Sequence, residues 1–247
     1  KPLQEEFLSL QFMYPTDKKS GISLNNTKFT LVANKQQASL YNFELNSRNS
    51  SVSLDSVNLN YSEYEKNKTF SYSRTLVSAN IVPSDFSYLS PILSHITSPI
   101  VCSVSTEGSD KELFVHNINI NNVDNTFLLQ GSGNVKSPLQ KSLRTINFSI
   151  ETLDATSDAI KQIAEVAELK EPISNRIFAL GGIHYKGDVK ITPQTNISEG
   201  YLKTDAGSLE YDIDYGNDKL LIANIQTDSL NIGKILEDEK LSTVKSN

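Results

Sequence analysis

The stretch GYLKTDAGSLEYDIDYGND, residues 200–218, sets Leu209, Tyr211, Ile213 and Tyr215 at alternate positions, with Glu210, Asp212 and Asp214 between them. Side chains of an extended chain point to opposite faces in turn, so this segment builds a sheet with one apolar face and one acidic, solvated face. A sheet of that kind either closes its apolar face on more protein or leaves it to something apolar that is not protein.

The same period recurs along the chain: Phe29, Leu31, Ala33; Tyr41, Phe43, Leu45; Ile100, Cys102, Val104; Ile118, Ile120; Phe127, Leu129; Ile146, Phe148, Ile150; Ile183, Tyr185, Val189, Ile191; Leu221, Ala223, Ile225. Within 52–61 the phase slips between Leu54 and Val57, which predicts a turn or bulge at Asp55-Ser56. Turn-forming clusters separate the runs at 107–110, 121–125 and 216–218, giving a long antiparallel meander. Two segments follow a helical period instead. SDFSYLSPILSHI (84–96) opens on Ser84 and Asp85, and Pro91 limits it to short turns. SDAIKQIAEVAELKEP (157–172) predicts a helix capped by Ser157 or Asp158, striped by Ile160, Ile163, Ala164, Val166 and Ala167, and stopped by Pro172. A short helix is also expected within 232–239. The organisation is therefore a β-meander over 1–153, a helical insert over 154–180 and further β-structure over 181–247.

Composition narrows the function. Of 247 residues only 38% are hydrophobic, there is no Trp, and the formal charge is −6, so the surface repels a nucleic-acid backbone and nucleic-acid binding is set aside. Cys102 is the single cysteine and reads as a buried strand residue. Because the chain begins at Lys1 and carries no signal-type or membrane-length apolar run, it reads as a segment of something longer. Asn-x-Ser/Thr triplets such as Asn67-Lys68-Thr69 are simplest as chance in an Asn-rich chain.

Catalytic and metal signatures do not emerge. His95, His116 and His184 fall on different elements with no ligand-type spacing, and no cofactor is expected. The run Asp212, Asp214, Asn217, Asp218 departs from a calcium loop in lacking its glycine and distant Glu, so it reads as a wet strand face ending in a hairpin. Gly131-Ser132-Gly133 is a bulge or strand-end pair, since no phosphate-holding helix follows it. No nucleophile elbow or acid–base carboxylate pair is present, and no enzymatic activity is expected.

Hairpins of similar grammar repeat, as in 23–61 and 110–135, which suggests a stacked, quasi-one-dimensional sheet. Four phrases then carry a resemblance: SANIVPSDFSYLSPIL; LFVHNININNVDNTFLLQGSGNV; INFSIETLDATSDAIKQI; and GYLKTDAGSLEYDIDY followed by IANIQTDSLNIGKIL. In the last, Gly200, Leu202, Thr204 and Gly207 fit a G-x-L-x-T-x-x-G hairpin, and Leu230, Ile232, Gly233 and Leu236 fit its close. Over most of residues 20–236 the chain resembles the AsmA/TamB-like proteins of Gram-negative bacteria, most closely TamB-type chains of the Bacteroides group. The resemblance implies a mainly β fold, a long antiparallel sheet curled into a groove (a β-taco or half-pipe) with one or two short amphipathic helices. It also implies a periplasmic protein, anchored to the inner membrane through a segment outside this one, that conducts phospholipid between the membranes or supports outer-membrane protein assembly. Its partners would be a phospholipid or other acyl-chain ligand and an outer-membrane barrel. The expected groove lining is Ile118, Ile120, Phe127, Leu129, Ile183, Tyr185, Val189, Ile191, Leu209, Tyr211, Ile213 and Tyr215. The competing reading is a closed β-sandwich or solenoid serving as an adhesin or glycan-binding module, although exposed Trp platforms for sugars are missing.

Overall fold

The computed structural model describes residues 6–12, 24–88, 91–96, 98–170, 173–216, 220–236 and 243–246. Among the described residues fourteen strands form one antiparallel sheet in strict sequence order, curled and open, with the first and last strands unpaired to each other. They are β1 (Glu6–Phe12), β2 (Leu24–Ala33), β3 (Gln37–Ser47), β4 (Ser51–Asn60), β5 (Ser71–Ile81), β6 (Ile100–Ser109), β7 (Glu112–Asn122), β8 (Phe127–Lys136), β9 (Thr145–Ala155), β10 (Ile183–Ile191), β11 (Thr195–Thr204), β12 (Gly207–Gly216), β13 (Leu221–Asn231) and β14 (Thr243–Ser246). A closed sandwich needs a second sheet, and every strand among the described residues belongs to this one. Most strands run nine to eleven residues, longer than the five to eight that turn residues alone would mark. Asn and Ser lie within strands rather than ending them, because the solvated face of an open sheet accepts them.

In a meander of this kind, the connections that follow odd-numbered strands all emerge at one rim. The longer helical connections lie there. The two 3-10 turns Pro83–Phe86 and Pro91–His95 join β5 to β6; α2 (Ser157–Val166) and α3 (Ile173–Leu180) join β9 to β10; and α4 (Ile232–Leu236) follows β13. Consecutive members touch, so short helices line one rim. The opposite rim carries α1 (Tyr64–Asn67), a single turn.

The cap of α2 is Thr156, whose hydroxyl accepts the Ala159 N–H at 3.3 Å, rather than Ser157 or Asp158. On this helix Ala159, Ile160 and Ala164 turn inward while Ile163 is 48% exposed and Ala167 also faces solvent, so the apolar stripe is narrower than its sequence suggests. Ser84 does not start a helix either. Asp85 beside it instead clasps the β3–β4 turn: Asn49 donates to it through its backbone N–H (2.8 Å) and Nδ2 (2.9 Å), Ser50 donates through Oγ (2.9 Å), and Val82 N–H donates back to Ser50 Oγ (2.9 Å). Leu89 lies outside the described residues.

Partial burial pushes the Asp85 carboxyl up, but the bonds from Asn49 and Ser50, with Arg48 nearby, outweigh it and hold the pKa below the ordinary value. A depressed folded-state pKa stabilises the fold above the unfolded value, and that stability is lost as pH falls through the folded one. Asp85→Asn is therefore expected to lower stability by about 1 kcal/mol at pH 7. The gap between wild type and variant should close in melts taken below pH 4, and a gap independent of pH would show that the charge contributes nothing.

The phase slip in β4 takes an unforeseen form. The strand runs unbroken through Asp55-Ser56, without a turn. Instead three strands shift together: Asn42 in β3 adopts a left-handed φ of 51°, the β4–β5 ladder skips from Leu54–Val77 to Leu59–Tyr72, and β5 shifts register against β6 between Tyr72 and Thr75. Moving neighbours in step keeps each apolar residue opposite another, which a bulge confined to one strand could not do.

Candidate functional site: the uncovered apolar face

The register joins the alternating residues into rows that cross nearly the whole sheet. One row runs Phe43–Leu54–Val77–Val104–Ile118–Gly131–Ile150–Gly187–Gly200–Tyr211–Ile225. A second runs Leu45–Val52–Ala79–Cys102–Ile120–Leu129–Leu153–Tyr185–Leu202–Leu209. A third joins Val115, Gly133, Phe148, Val189, Ser198, Ile213 and Ala223, and a fourth joins Ile146, Ile191, Asn196, Tyr215 and Leu221. Ten of the twelve residues expected to line a groove lie in these rows, and Phe127 and Ile183, both paired with Ala155, stand two residues before Leu129 and Tyr185 on the same face. The opposite face is mainly polar, as in Gln130–Asn119–Ser103–Ser78–Ser53–Glu44, with Leu76, Val101 and Phe114 exposed on it.

Little covers the apolar face. Among the described residues, the buried hydrophobic ones are Ala155, Ala159, Ile160, Ala164 and Ala206, and no large side chain is fully sealed. The chain exposes 16141 Å², against roughly 11,000 Å² for a compact monomer of 27.4 kDa. Among the described residues a closed corner lies at the helical rim, where Ala155, Ala159 and Ile160 pack with Phe127, Ile177, Phe178 and Ile183. Phe127 and Ile183, both half-buried, are thus the lining candidates that pack against α2 and α3. Farther from that rim Ile213 and Val189 are half-buried, whereas Ile191, Tyr215 and Ile225 are 41%, 45% and 53% exposed. Cys102 is half-buried rather than buried, and burial pushes its thiol up from the ordinary range.

Glycines pinch the sheet toward this face. A Cβ on Gly133 would stand 2.5 Å from the Asn147 carbonyl oxygen and 2.7 Å from the Phe148 ring; one on Gly187 would meet the Glu199 carbonyl oxygen and lie 2.5 Å from the Tyr185 hydroxyl. Neighbouring backbone has risen on the side where the Cβ would be, and the Phe148 and Tyr185 rings occupy the space left. Register shifts at Gln130/Gly131 and Tyr185/Gly187 accompany the bend. The expected bulge at Gly131-Ser132-Gly133 is thus inside β8 and not at its end.

The polar face brings two histidines against carboxylates. His184 Nδ1 lies 2.5 Å from Asp154 Oδ1 on the neighbouring strand, beside a shallow depression of about 530 Å³ that Thr126, Lys203 and Asp205 also line. His116 Nε2 is 3.1 Å from Glu107 Oε1, outside good hydrogen-bond alignment, and its ring stacks on Phe114 at 6.1 Å. Thr195 donates its hydroxyl to Asp214, and Asp212 projects from the same polar face, consistent with a wet strand; Asn217 and Asp218 lie outside the described residues. No group of three His, Cys, Asp or Glu arranged for a metal occurs among the described residues, and no helix among them is long and apolar enough to cross a membrane.

The geometry defines a class of protein: an open, single-layer, curled antiparallel sheet with one continuous apolar face and a helical rim. Comparison with family models, curated proteins and solved structures finds no match for the chain.

Proposed function

We propose that the apolar face is a hydrophobic path for the acyl chains of phospholipid, within a periplasmic protein of the AsmA/TamB type that links inner and outer membranes. The observation that carries this reading is the pair of apolar rows crossing from β3 into β12 and β13 with no second layer over them among the described residues. An uncovered face of that extent costs about 25 cal/mol per Å² in water, which an acyl chain lying along it relieves. Strands of about ten residues span roughly 33 Å, enough to cover a lipid tail of half a bilayer core, about 15 Å. The helices α2 and α3 pack on Phe127, Ala155 and Ile183 at the rim ends of β8, β9 and β10, outside these rows. On this reading the inner membrane and an outer-membrane barrel are partners of the protein, and the residues of this chain bind and guide rather than react.

A photoactivatable side chain at Phe148 is expected to crosslink radiolabelled phospholipid when the full-length protein is irradiated in cells. The same group at Asn147, on the polar face, should yield little. Equal labelling at the two positions, or none at Phe148, would remove the basis for the proposal.

A further inference from the structure

Three hydroxyls interrupt the apolar face at one point. Tyr185 and Tyr211 stack with ring centroids 6.3 Å apart and planes 12° from parallel, and their hydroxyl oxygens are 2.9 Å apart. Ser198 Oγ lies 3.0 Å from the Tyr211 oxygen. Gly187 and Gly200 lie side by side beneath: a Cβ on Gly200 would be 2.8 Å from the Tyr185 ring, so the glycines let that ring lie flat and bring its hydroxyl to Tyr211.

A count of protons shows what this arrangement offers. Each hydroxyl has one hydrogen to donate and two lone pairs to accept. Three hydroxyls in a chain use two hydrogens between them, so one O–H is left to donate outside the chain. Burial, the bond to Tyr211 and nearby negative charge push the Tyr185 phenol well above its ordinary range, so it stays a protonated donor. The spare donor sits among Ile213, Leu209 and Val189, where an acceptor carried into the path on a hydrocarbon chain would find few others.

We infer that Tyr185, Tyr211 and Ser198 form a polar subsite that hydrogen-bonds the ester carbonyl of an acyl lipid, marking where the junction between head group and tail pauses along the path. The inference rests on the lipid-path reading above. It assigns a ligand chemistry, an acyl ester rather than a bare hydrocarbon, and a fixed position along the sheet.

The test compares methyl palmitate with octadecane, chains of similar length that differ in the ester, by equilibrium binding to the purified chain. Wild type is expected to favour the ester about three- to tenfold, the yield of one net hydrogen bond. The Tyr185→Phe variant should keep much of that preference, because the two remaining hydroxyls still leave one hydrogen spare. The triple variant Tyr185→Phe, Tyr211→Phe, Ser198→Ala should lose the preference and keep its octadecane affinity. In wild type alone, the infrared carbonyl stretch of bound ¹³C-labelled methyl palmitate should move to lower frequency than in hexane, a readout that needs no variant to fold. Octadecane bound without ester preference or carbonyl shift would overturn the subsite and leave the path standing, whereas failure of wild type to bind either chain would overturn the path itself.

Discussion

Ile213→Asp is expected to leave the chain folded while reducing acyl-chain passage at least tenfold. Ile213 stands between Ser198 and Ala223 on the uncovered face and is half-buried. On an open face a carboxylate keeps part of its hydration, so the folding cost should stay near 1–2 kcal/mol, while a hydrocarbon tail has no way past a charge that it would have to strip of water. Ile160→Asp supplies the contrast: Ile160 is 6% exposed in the closed corner, where an unpaired charge should cost several kcal/mol and unfold that rim. Thermal melts of both variants, outer-membrane integrity and lipid crosslinking at Tyr211 in the full-length protein read the two effects apart. An Ile213→Asp chain that unfolds would mean that the face is covered by protein, and a stable one with normal transport would count against the path.

Gly187→Val is the second large effect, and strand propensity has the wrong sign for it. Valine is favoured over glycine in strands, so propensity alone predicts a gain. At this position the added Cβ meets the Glu199 carbonyl oxygen, and that oxygen belongs to the backbone of a paired strand and cannot swing away as a side chain could. A loss of about 2–4 kcal/mol is expected, the range for forcing atoms into a packed site, which corresponds to on the order of 5–10 °C in a chain of this size. Adding Tyr185→Ala removes the ring contact and should restore little, because the carbonyl remains. Full rescue would locate the strain in the ring instead. The same variant tests the curl, since a sheet not pinched at Gly187 would accept valine without loss.

The open face was legible in part before any coordinates. The alternation of Leu209, Tyr211, Ile213 and Tyr215 names a face, and so does that of Ile183, Tyr185, Val189 and Ile191. Whether two such faces coincide depends on register, because a slip of one residue turns a strand over. The pairings Tyr185–Leu202–Leu209 and Val189–Ser198–Ile213 bring them together. Phe148, Ile150 and Leu153 belong to the same surface; the alternation of Ile146, Phe148 and Ile150 was visible, whereas Leu153, three residues after Ile150, joins them only through the register shift in β9. The hydroxyl cluster was hidden, because Tyr185 and Tyr211 are 26 residues apart and meet only through a glycine pair on intervening backbone. His184 and Asp154, 30 residues apart, are likewise joined by strand pairing alone.

Period-two alternation, broken by turn residues and by two helical segments, determined the secondary structure and the two-faced character of the sheet, because both follow from interactions between near neighbours along the chain. Tertiary structure decided the rest. Strand length, the joint shift of β3, β4 and β5, the packing of Phe127 and Ile183 against α2 and α3, and the pinch at Gly133 and Gly187 each depend on what stands on the neighbouring strand. An apolar residue has the same identity whether a helix covers it or solvent does, so the sequence could state which side of each strand avoids water but not which part of that side the protein itself would cover.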